Sequence, residues 1–167
     1  MTVPDPPQSR ELAAGRYFQD DLAPGDWYAT GHIVVTEAHI VGFAGLAGDF
    51  FDVHMDDAAA RELGFPGRIA HGILGLALID GLKNRSDVRL AAVASLGWDW
   101  SFTAPILVGD RIGATLTVAE SRATRAGDRG VVVLAIEATK QDDSVVQRGT
   151  NTLLMQRRPE TVEPSAT

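Results

Sequence analysis

The sequence contains no cysteine among its 167 residues, and aromatic residues make up only 7% of it. The missing thiols exclude disulfide bonds, thiolate catalysis, and zinc or iron–sulfur sites with cysteine ligands. Long hydrophobic runs are also missing, so we predict no transmembrane helix and no membrane partner. The N-terminus lacks a basic region followed by an apolar run, which argues against a signal peptide and favours a cytoplasmic location.

Positive charge is scarce as well. Fifteen lysines and arginines stand against 22 aspartates and glutamates, which gives a formal net charge of −7. Such a surface repels a phosphate backbone, so we expect no nucleic-acid partner. With 45% hydrophobic and 22% charged residues, the chain has the composition of an ordinary globular domain with a substantial core.

The length favours one domain, which we place at residues 13–158. Residues 1–12 contain three prolines among polar residues and are predicted to form a flexible arm. Residues 159–167 have a similar composition and are predicted to form a C-terminal tail.

Helical patterns occupy the first half of the chain. Thr36 is a candidate N-cap for a helix over residues 37–47, and residues 55–63 predict a second, short helix. Residues 69–82 are the most apolar window of the chain, with Asp80 as the only charged residue. A helix that is apolar nearly all round is buried, so we predict that this segment is the central helix.

The second half changes to the period of a β-strand. The predicted strands cover residues 88–103, 111–122, 131–140 and 145–157. Trp98, Trp100 and Phe102 alternate along the first of them and are predicted to lie in the core rather than to form a ligand platform. Helices first and strands later predict an α+β fold, in which a curved antiparallel sheet packs on a buried helix.

Asp49 and His54 are the first candidate functional residues. They lie five residues apart in a non-helical stretch after Gly48. A carboxylate and an imidazole in one cleft can hold a water molecule and exchange protons with it. The alternatives are that Asp49 is a turn residue and that His54 caps the next helix. A metal held by Asp49, His54 and Asp56 is a further interpretation that nothing in the spacing specifies, and we predict neither a metal nor a cofactor.

Gly72 is the second candidate, because the central helix is predicted to begin near His71 and Gly72. The first N–H groups of a helix have no partner within it, and glycine lets a ligand atom approach closely. A substrate carbonyl oxygen could therefore have its developing negative charge stabilised there. The alternative is that Gly72 permits close packing at a helix crossing.

Three blocks of the sequence carry a resemblance to a known family. Gly48, Asp49 and His54 match the motif G-D-x-N-P-x-H, residues 69–74 read I-A-H-G-I-L, and residues 102–110 read F-T-A-P-I-L-V-G-D. In this combination and order, the chain resembles the MaoC-like dehydratases and (R)-specific enoyl-CoA hydratases of the hot dog fold.

The resemblance implies a homodimer, or a higher oligomer, that acts on a 2-enoyl thioester of coenzyme A. The reaction would be reversible hydration to an (R)-3-hydroxyacyl-CoA, with coenzyme A as part of the substrate and no separate cofactor. Asp49 would activate water, His54 would orient that water and share its proton, and the Gly72 N–H would bind the thioester oxygen. We expect Phe51, Ile73 and His71 to contact the substrate.

The chain departs from the family motif at two positions, where Phe51 replaces asparagine and Asp52 replaces proline. These changes keep open a non-catalytic subunit that binds acyl-CoA. Asp80 on the central helix keeps open a thioesterase of the same fold.

Overall fold

The structure is a computed structural model, and it describes residues 9–159. In chain order the helices are α1 (Glu37–Ala47), α2 (Asp52–Met55), α3 (Asp57–Glu62) and α4 (Gly72–Asn84). The strands are β1 (Gly15–Tyr17), β2 (Trp27–Ala29), β3 (Ile33–Val34), β4 (Val88–Leu90), β5 (Ala92–Phe102), β6 (Arg111–Ala123), β7 (Arg129–Thr139) and β8 (Val145–Gln156).

One antiparallel sheet dominates the fold, with its strands in the order β2-β6-β7-β8-β5 and β3 paired with β6. The first and fourth strands form a separate parallel pair. Side chains alternate between buried and more exposed positions along much of β6 and β7, as expected for strands with one face on the core. The buried face of α4 meets this core through Leu74, Ile79 and Leu82. The predicted α+β architecture with a central helix is confirmed.

The first predicted helix is confirmed at both ends. Thr36 is its N-cap, and its backbone N–H donates to Nδ1 of His39 at 3.0 Å. Gly48 ends the helix with φ at 73°, a left-handed conformation that glycine adopts without strain.

The central helix begins at Gly72, as predicted, although the apolar window of the sequence already begins at residue 69. Ala70 donates its N–H to the carbonyl of Ile106 at 2.7 Å, and Ile69 forms a β-bridge with Leu107. These bonds hold residues 69–70 extended, although their side chains continue the apolar pattern of the helix. At the other end the helix runs to Asn84 instead of stopping at residue 82.

The predicted helix at residues 55–63 is wrong in its extent, because the structure has two helices with a break at Asp56. The backbone of Asp56 is extended (φ −127°, ψ 121°), and its carboxylate accepts the N–H of Ala58 at 2.7 Å. Asp56 is therefore an N-cap, a role that side chains of this type fill well. The predicted strand at residues 88–103 is likewise interrupted at Ala91, whose N–H donates to the carbonyl of Tyr17.

Arg10 and Leu12, which we placed in the N-terminal arm, pack against the domain. Leu12 is 5% exposed within the core, and its N–H donates to the carbonyl of Trp27 at 2.8 Å. Arg10 forms an ion pair with the buried carboxylate of Asp26 at 2.6 Å. Residues 1–8 and 160–167 lie outside the described part, so the rest of the predicted arm and nearly all of the predicted tail are not covered. Within residues 9–159, no helix combines the length and apolarity needed to cross a membrane.

Candidate active site

A cavity of about 480 Å³ opens beside the N-terminal end of α4. Four parts of the chain form its wall: the α1–α2 region, the start of α4 with the residues before it, the end of β5 with the segment after it, and one side chain of β8. Most of the wall is apolar, and its larger apolar side chains are Phe43, Phe65, Ile69, Ile73, Phe102 and Ile106. Its polar side chains include Asp49, His54, His71 and Gln147.

Asp49 follows directly after the left-handed residue Gly48 at the end of α1. Its side chain is 51% exposed, and one carboxylate oxygen accepts the N–H of Phe51 at 3.3 Å. Asp49 therefore stabilises a turn, as one of the alternatives proposed. The same carboxylate also lines the cavity, so the turn is what presents this acid to a ligand.

His54 lies in the short helix α2 and is oriented by one hydrogen bond. Nδ1 lies 2.8 Å from the carbonyl oxygen of Ile69, which can only accept, so Nδ1 carries a proton and donates. In the neutral ring, Nε2 is then left free to accept. The alternative that His54 caps the following helix is wrong, because Asp56 fills that role.

His71 is 3% exposed and packs between two aromatic neighbours. Its ring stacks on that of His54 with the centroids 3.8 Å apart and lies 5.0 Å from the ring of Phe43. Nε2 donates to the backbone carbonyl of Asp49 at 2.9 Å. The sequence prediction of a substrate contact for His71 fits its place in the wall, but its donor nitrogen is committed to the protein.

Gly72 is the first residue of α4 and lies against the ring of Phe102. A Cβ added at this position would lie 2.8 Å from that ring, so the neighbour that glycine accommodates is an aromatic side chain and not a crossing helix. Gln147 in β8 donates from Nε2 to the carbonyl of Gly72 at 2.9 Å and accepts from Nε1 of Trp100 at 3.1 Å. These contacts fix the first peptide of the helix at the cavity.

Two other predicted residues have different surroundings. Ile73 lines the cavity and is 62% exposed. Phe51 is also 62% exposed but stands outside the wall as the described residues form it, with its ring centroid 6.4 Å from that of His54. Of the two substrate contacts predicted here, the geometry favours Ile73.

Asp80 is far along α4 from the cavity and has a partner of its own. Its carboxylate pairs with Lys83 at 2.6 Å, and it is absent from the wall that the described residues form. The acid that a thioesterase of this fold would use is therefore not presented to the cavity.

The metal-binding set considered from the sequence is wrong, because Asp56 caps α3. The structure instead brings Asp49, His54 and His71 together, with one ligand-type atom from each within 4.8 Å of the others. One nitrogen of each histidine already donates to a backbone carbonyl, so only the other nitrogen could bind an ion.

Gln147 and Phe102 are site residues that the sequence prediction missed. Phe102 was assigned to the core, yet it is 55% exposed and lines the cavity, while Trp98 and Trp100 do pack against the core. Gln147 is 2% exposed in a strand whose other buried residues are mostly apolar. A polar residue at a buried position of an alternating strand was the available signal.

The cavity combines three groups with complementary chemistry: a carboxylate, an imidazole nitrogen that can accept, and a helix-start N–H. The first two can take a proton from water and return one, while the third can stabilise negative charge on an oxygen. An apolar wall around them suits a ligand with a hydrocarbon portion.

Comparison with known proteins assigns the family. Residues 21–141 match the model of the MaoC-like domain, and the chain belongs to this family. Protein MaoC of Klebsiella aerogenes is 39% identical over 103 residues, which are 61% of this chain and 30% of that protein. An (R)-specific enoyl-CoA hydratase of Aeromonas caviae is 34% identical over 85 residues, 51% of this chain and 63% of that enzyme. The chain thus covers less than two thirds of the length of either relative.

The fold is the hot dog fold. A Mycobacterium tuberculosis protein with a double hotdog fold superimposes with a TM-score of 0.76 over 92% of this chain and 48% of that protein. At 16% identity this likeness concerns the fold alone. The fold that the sequence motifs implied is confirmed.

Proposed function

We propose that this chain is a hydro-lyase that adds water reversibly to a trans-2-enoyl-CoA and forms an (R)-3-hydroxyacyl-CoA. The observation that carries the proposal is that Asp49, His54 and Gly72 line one cavity. The similarity to an (R)-specific enoyl-CoA hydratase supports both the substrate class and the stereochemistry.

Each of the three residues has one task in this reaction. The Asp49 carboxylate takes a proton from a water molecule as the water oxygen bonds to C3 of the substrate, and His54 Nε2 orients that water by accepting a hydrogen bond. The electron pair of the C2–C3 double bond moves toward the thioester, whose oxygen gains negative charge facing the Gly72 N–H. The Asp49 carboxyl group then gives this proton to C2, where the electron pair returns from the thioester to form the C2–H bond. Dehydration follows the same steps in reverse.

The apolar wall supports an acyl chain as the bound portion of the substrate. Phe43, Phe65 and Phe102 surround a space of about 480 Å³ next to the catalytic groups. Burial of hydrocarbon against such side chains is favourable by about 0.8 kcal/mol per methylene group. The polar coenzyme A portion would remain toward solvent.

A homodimer is part of the proposal, because β5 ends the order of the main sheet and carries exposed apolar side chains. Val93 is 44% exposed and Leu96 57% exposed. An edge of this kind is a template for pairing with a second copy. Size-exclusion chromatography with light scattering should give a dimer for the wild type and a shift toward monomer for Leu96→Lys, and a monomeric wild type would overturn this part.

The test of the proposed activity is loss of the ultraviolet absorbance of the conjugated thioester when the protein meets a panel of trans-2-enoyl-CoAs. We expect hydration by the wild type, with 3-hydroxyacyl-CoA as the product. His54→Ala and Asp49→Asn should each lower kcat/KM by about 100-fold or more.

Asp52→Asn is the matched control, because Asp52 is a nearby exposed acid outside the cavity wall described above. It should keep activity near the wild-type value. Release of free coenzyme A thiol in place of hydration would identify a thioesterase. Binding of enoyl-CoA without turnover would favour a non-catalytic subunit.

A further inference from the structure

His71 contacts all three parts of the proposed catalytic arrangement. It donates to the backbone of Asp49, stacks on the ring of His54, and immediately precedes Gly72. We infer that His71 is a positioning residue, which holds these groups in register through an Nε2–H hydrogen bond to the Asp49 backbone and through ring stacking. Its Nε2 also lies 4.0 Å from the Asp49 carboxylate. This inference rests on the proposed hydration.

The hydrogen bond to Asp49 supplies a constraint that the carboxylate itself lacks. The Asp49 side chain is half exposed, and its hydrogen bond to the Phe51 N–H is long at 3.3 Å. The backbone carbonyl of Asp49 is held at 2.9 Å by a histidine 22 residues away that is almost fully buried. Because the side chain moves with its backbone, this bond sets where the carboxylate lies relative to the start of α4.

The partner atoms also fix where the ring protons lie. A carbonyl can only accept, so in the neutral rings His71 carries its proton on Nε2 and His54 carries its proton on Nδ1. Nδ1 of His71 is buried without a hydrogen-bond partner among the described residues. The single N–H of the neutral His71 ring therefore donates to Asp49, and no second N–H remains to donate to a substrate.

The stack with His54 gives the second constraint. The two ring centroids are 3.8 Å apart with an interplanar angle of 28°, and Phe43 packs on His71 at 5.0 Å. Together with the bond from Nδ1 to Ile69, this stack limits rotation of the His54 ring and thereby the direction of its Nε2.

A matched pair of substitutions separates the hydrogen bond from the stack. Glutamine and methionine have nearly the same shape, and both remove the ring, but only His71→Gln can still donate to the Asp49 carbonyl. With crotonyl-CoA as substrate, His71→Met should lower kcat by about 100-fold, the scale of a misplaced catalytic group, while KM changes by less than about threefold. His71→Gln should recover at least about tenfold of that loss, with thermal unfolding close to that of His71→Met.

Equal kcat values for the two variants, or a loss in His71→Met that lies in KM alone, would overturn the inference. A measurement on the wild type keeps the test independent of how either variant folds. Nitrogen-15 NMR of the four histidine rings should show the Nε2–H form for His71 and the Nδ1–H form for His54. An Nδ1–H form at His71 would refute the hydrogen bond directly. If the wild type hydrates no enoyl-CoA, the proposed function fails, and the same spectra still decide whether His71 holds Asp49.

Discussion

The polar groups near the two ends of α4 differ in whether they pair within the protein or face a cavity. At the C-terminal end, the buried Lys83 pairs with Asp80 at 2.6 Å, donates to Asn151 at 2.9 Å, and lies 5.1 Å from the centre of the Trp98 ring. The charges of Lys83 and Asp80 thus have partners within the protein. This arrangement satisfies the hydrogen bonding of the lysine within the protein.

At the N-terminal end, polar groups face a cavity instead of each other. Asp49 keeps a half-exposed carboxylate, His54 keeps a free ring nitrogen, and Gly72 opens the helix with an N–H that has no acceptor inside it. The comparison teaches that a charged residue near this helix is not by itself evidence of a functional site. The better evidence is a group of polar atoms beside an apolar cavity whose hydrogen-bonding capacity is not used by the protein.

The largest expected difference between the two ends is in the effect of removing their acids on activity. Asp49→Asn should lower kcat/KM for a trans-2-enoyl-CoA by about 10²–10⁴, because the general base is lost while the side-chain shape is kept. Asp80→Asn should stay within about threefold of the wild type per folded molecule. The absorbance assay measures both variants. A larger loss of activity in Asp80→Asn than in Asp49→Asn would show that the catalytic acid lies at the C-terminal end of the helix.

The next contrast uses one glycine from each end. Gly72→Ala places a Cβ 2.8 Å from the Phe102 ring, so we expect kcat to fall by about 100-fold and stability by about 1–3 kcal/mol. In Gly81→Ala the added Cβ meets no heavy atom of residues 9–159 within 4 Å, and this variant should be neutral or stabilising by up to about 1 kcal/mol. Urea unfolding and the hydration assay test both variants. Equal effects at the two positions would contradict the assigned role of the Phe102 contact.

Lys83→Met should affect stability without affecting catalysis. It leaves Asn151 and Asp80 without their charged partner, which should lower the free energy of unfolding by about 1–3 kcal/mol. Because the site is at the other end of α4, kcat should remain at the wild-type value. Arg85→Met, at a neighbouring exposed position, is the control and should change stability by less than about 0.5 kcal/mol. A catalytic defect in Lys83→Met would show that the two ends are coupled.

The smallest effect concerns Tyr28, whose buried hydroxyl has no hydrogen-bond partner among the described residues. Burial, with a smaller contribution from the charge of Asp80, raises the pKa of Tyr28 above its ordinary value of 10.0. Below pH 10 the tyrosine is neutral in both states. Above it only the unfolded chain loses the proton, so the stability of the wild type falls by about 1.4 kcal/mol per pH unit from this group.

Tyr28→Phe removes this dependence and should stay within about 1 kcal/mol of the wild type at neutral pH. Urea unfolding of both proteins between neutral pH and about pH 11 measures the difference, which should widen only in the alkaline range. Parallel curves would show that the hydroxyl has a partner or is open to water.

Local signals in the sequence predicted the elements that depend on local physics. Thr36 and the apolar spacing after it placed α1 correctly, and the strand period in the second half of the chain placed the sheet. The apolar window that predicted α4 extends back to residue 69, because Ile69 and Ala70 are as apolar as the helix, and only their bonds to residues 106–107 hold them extended. A partner on a distant segment leaves no periodic trace in the sequence.

The residues of the candidate site that lie in short motifs could also be predicted from the sequence. Asp49, His54 and Gly72 lie in short motifs and were identified from them. Gln147 and Phe102 join the site only because β8 and the end of β5 meet the start of α4 in the folded chain.

The hydrogen bond between Gln147 and Gly72 joins positions 75 residues apart. A contact of such long range stabilises the chain only after the intervening segment has lost the entropy of loop closure, and such contacts slow folding. On dilution from denaturant, the first helical structure should therefore return before the first turnover. The rate at which activity recovers would therefore report the rate at which β8 docks on α4.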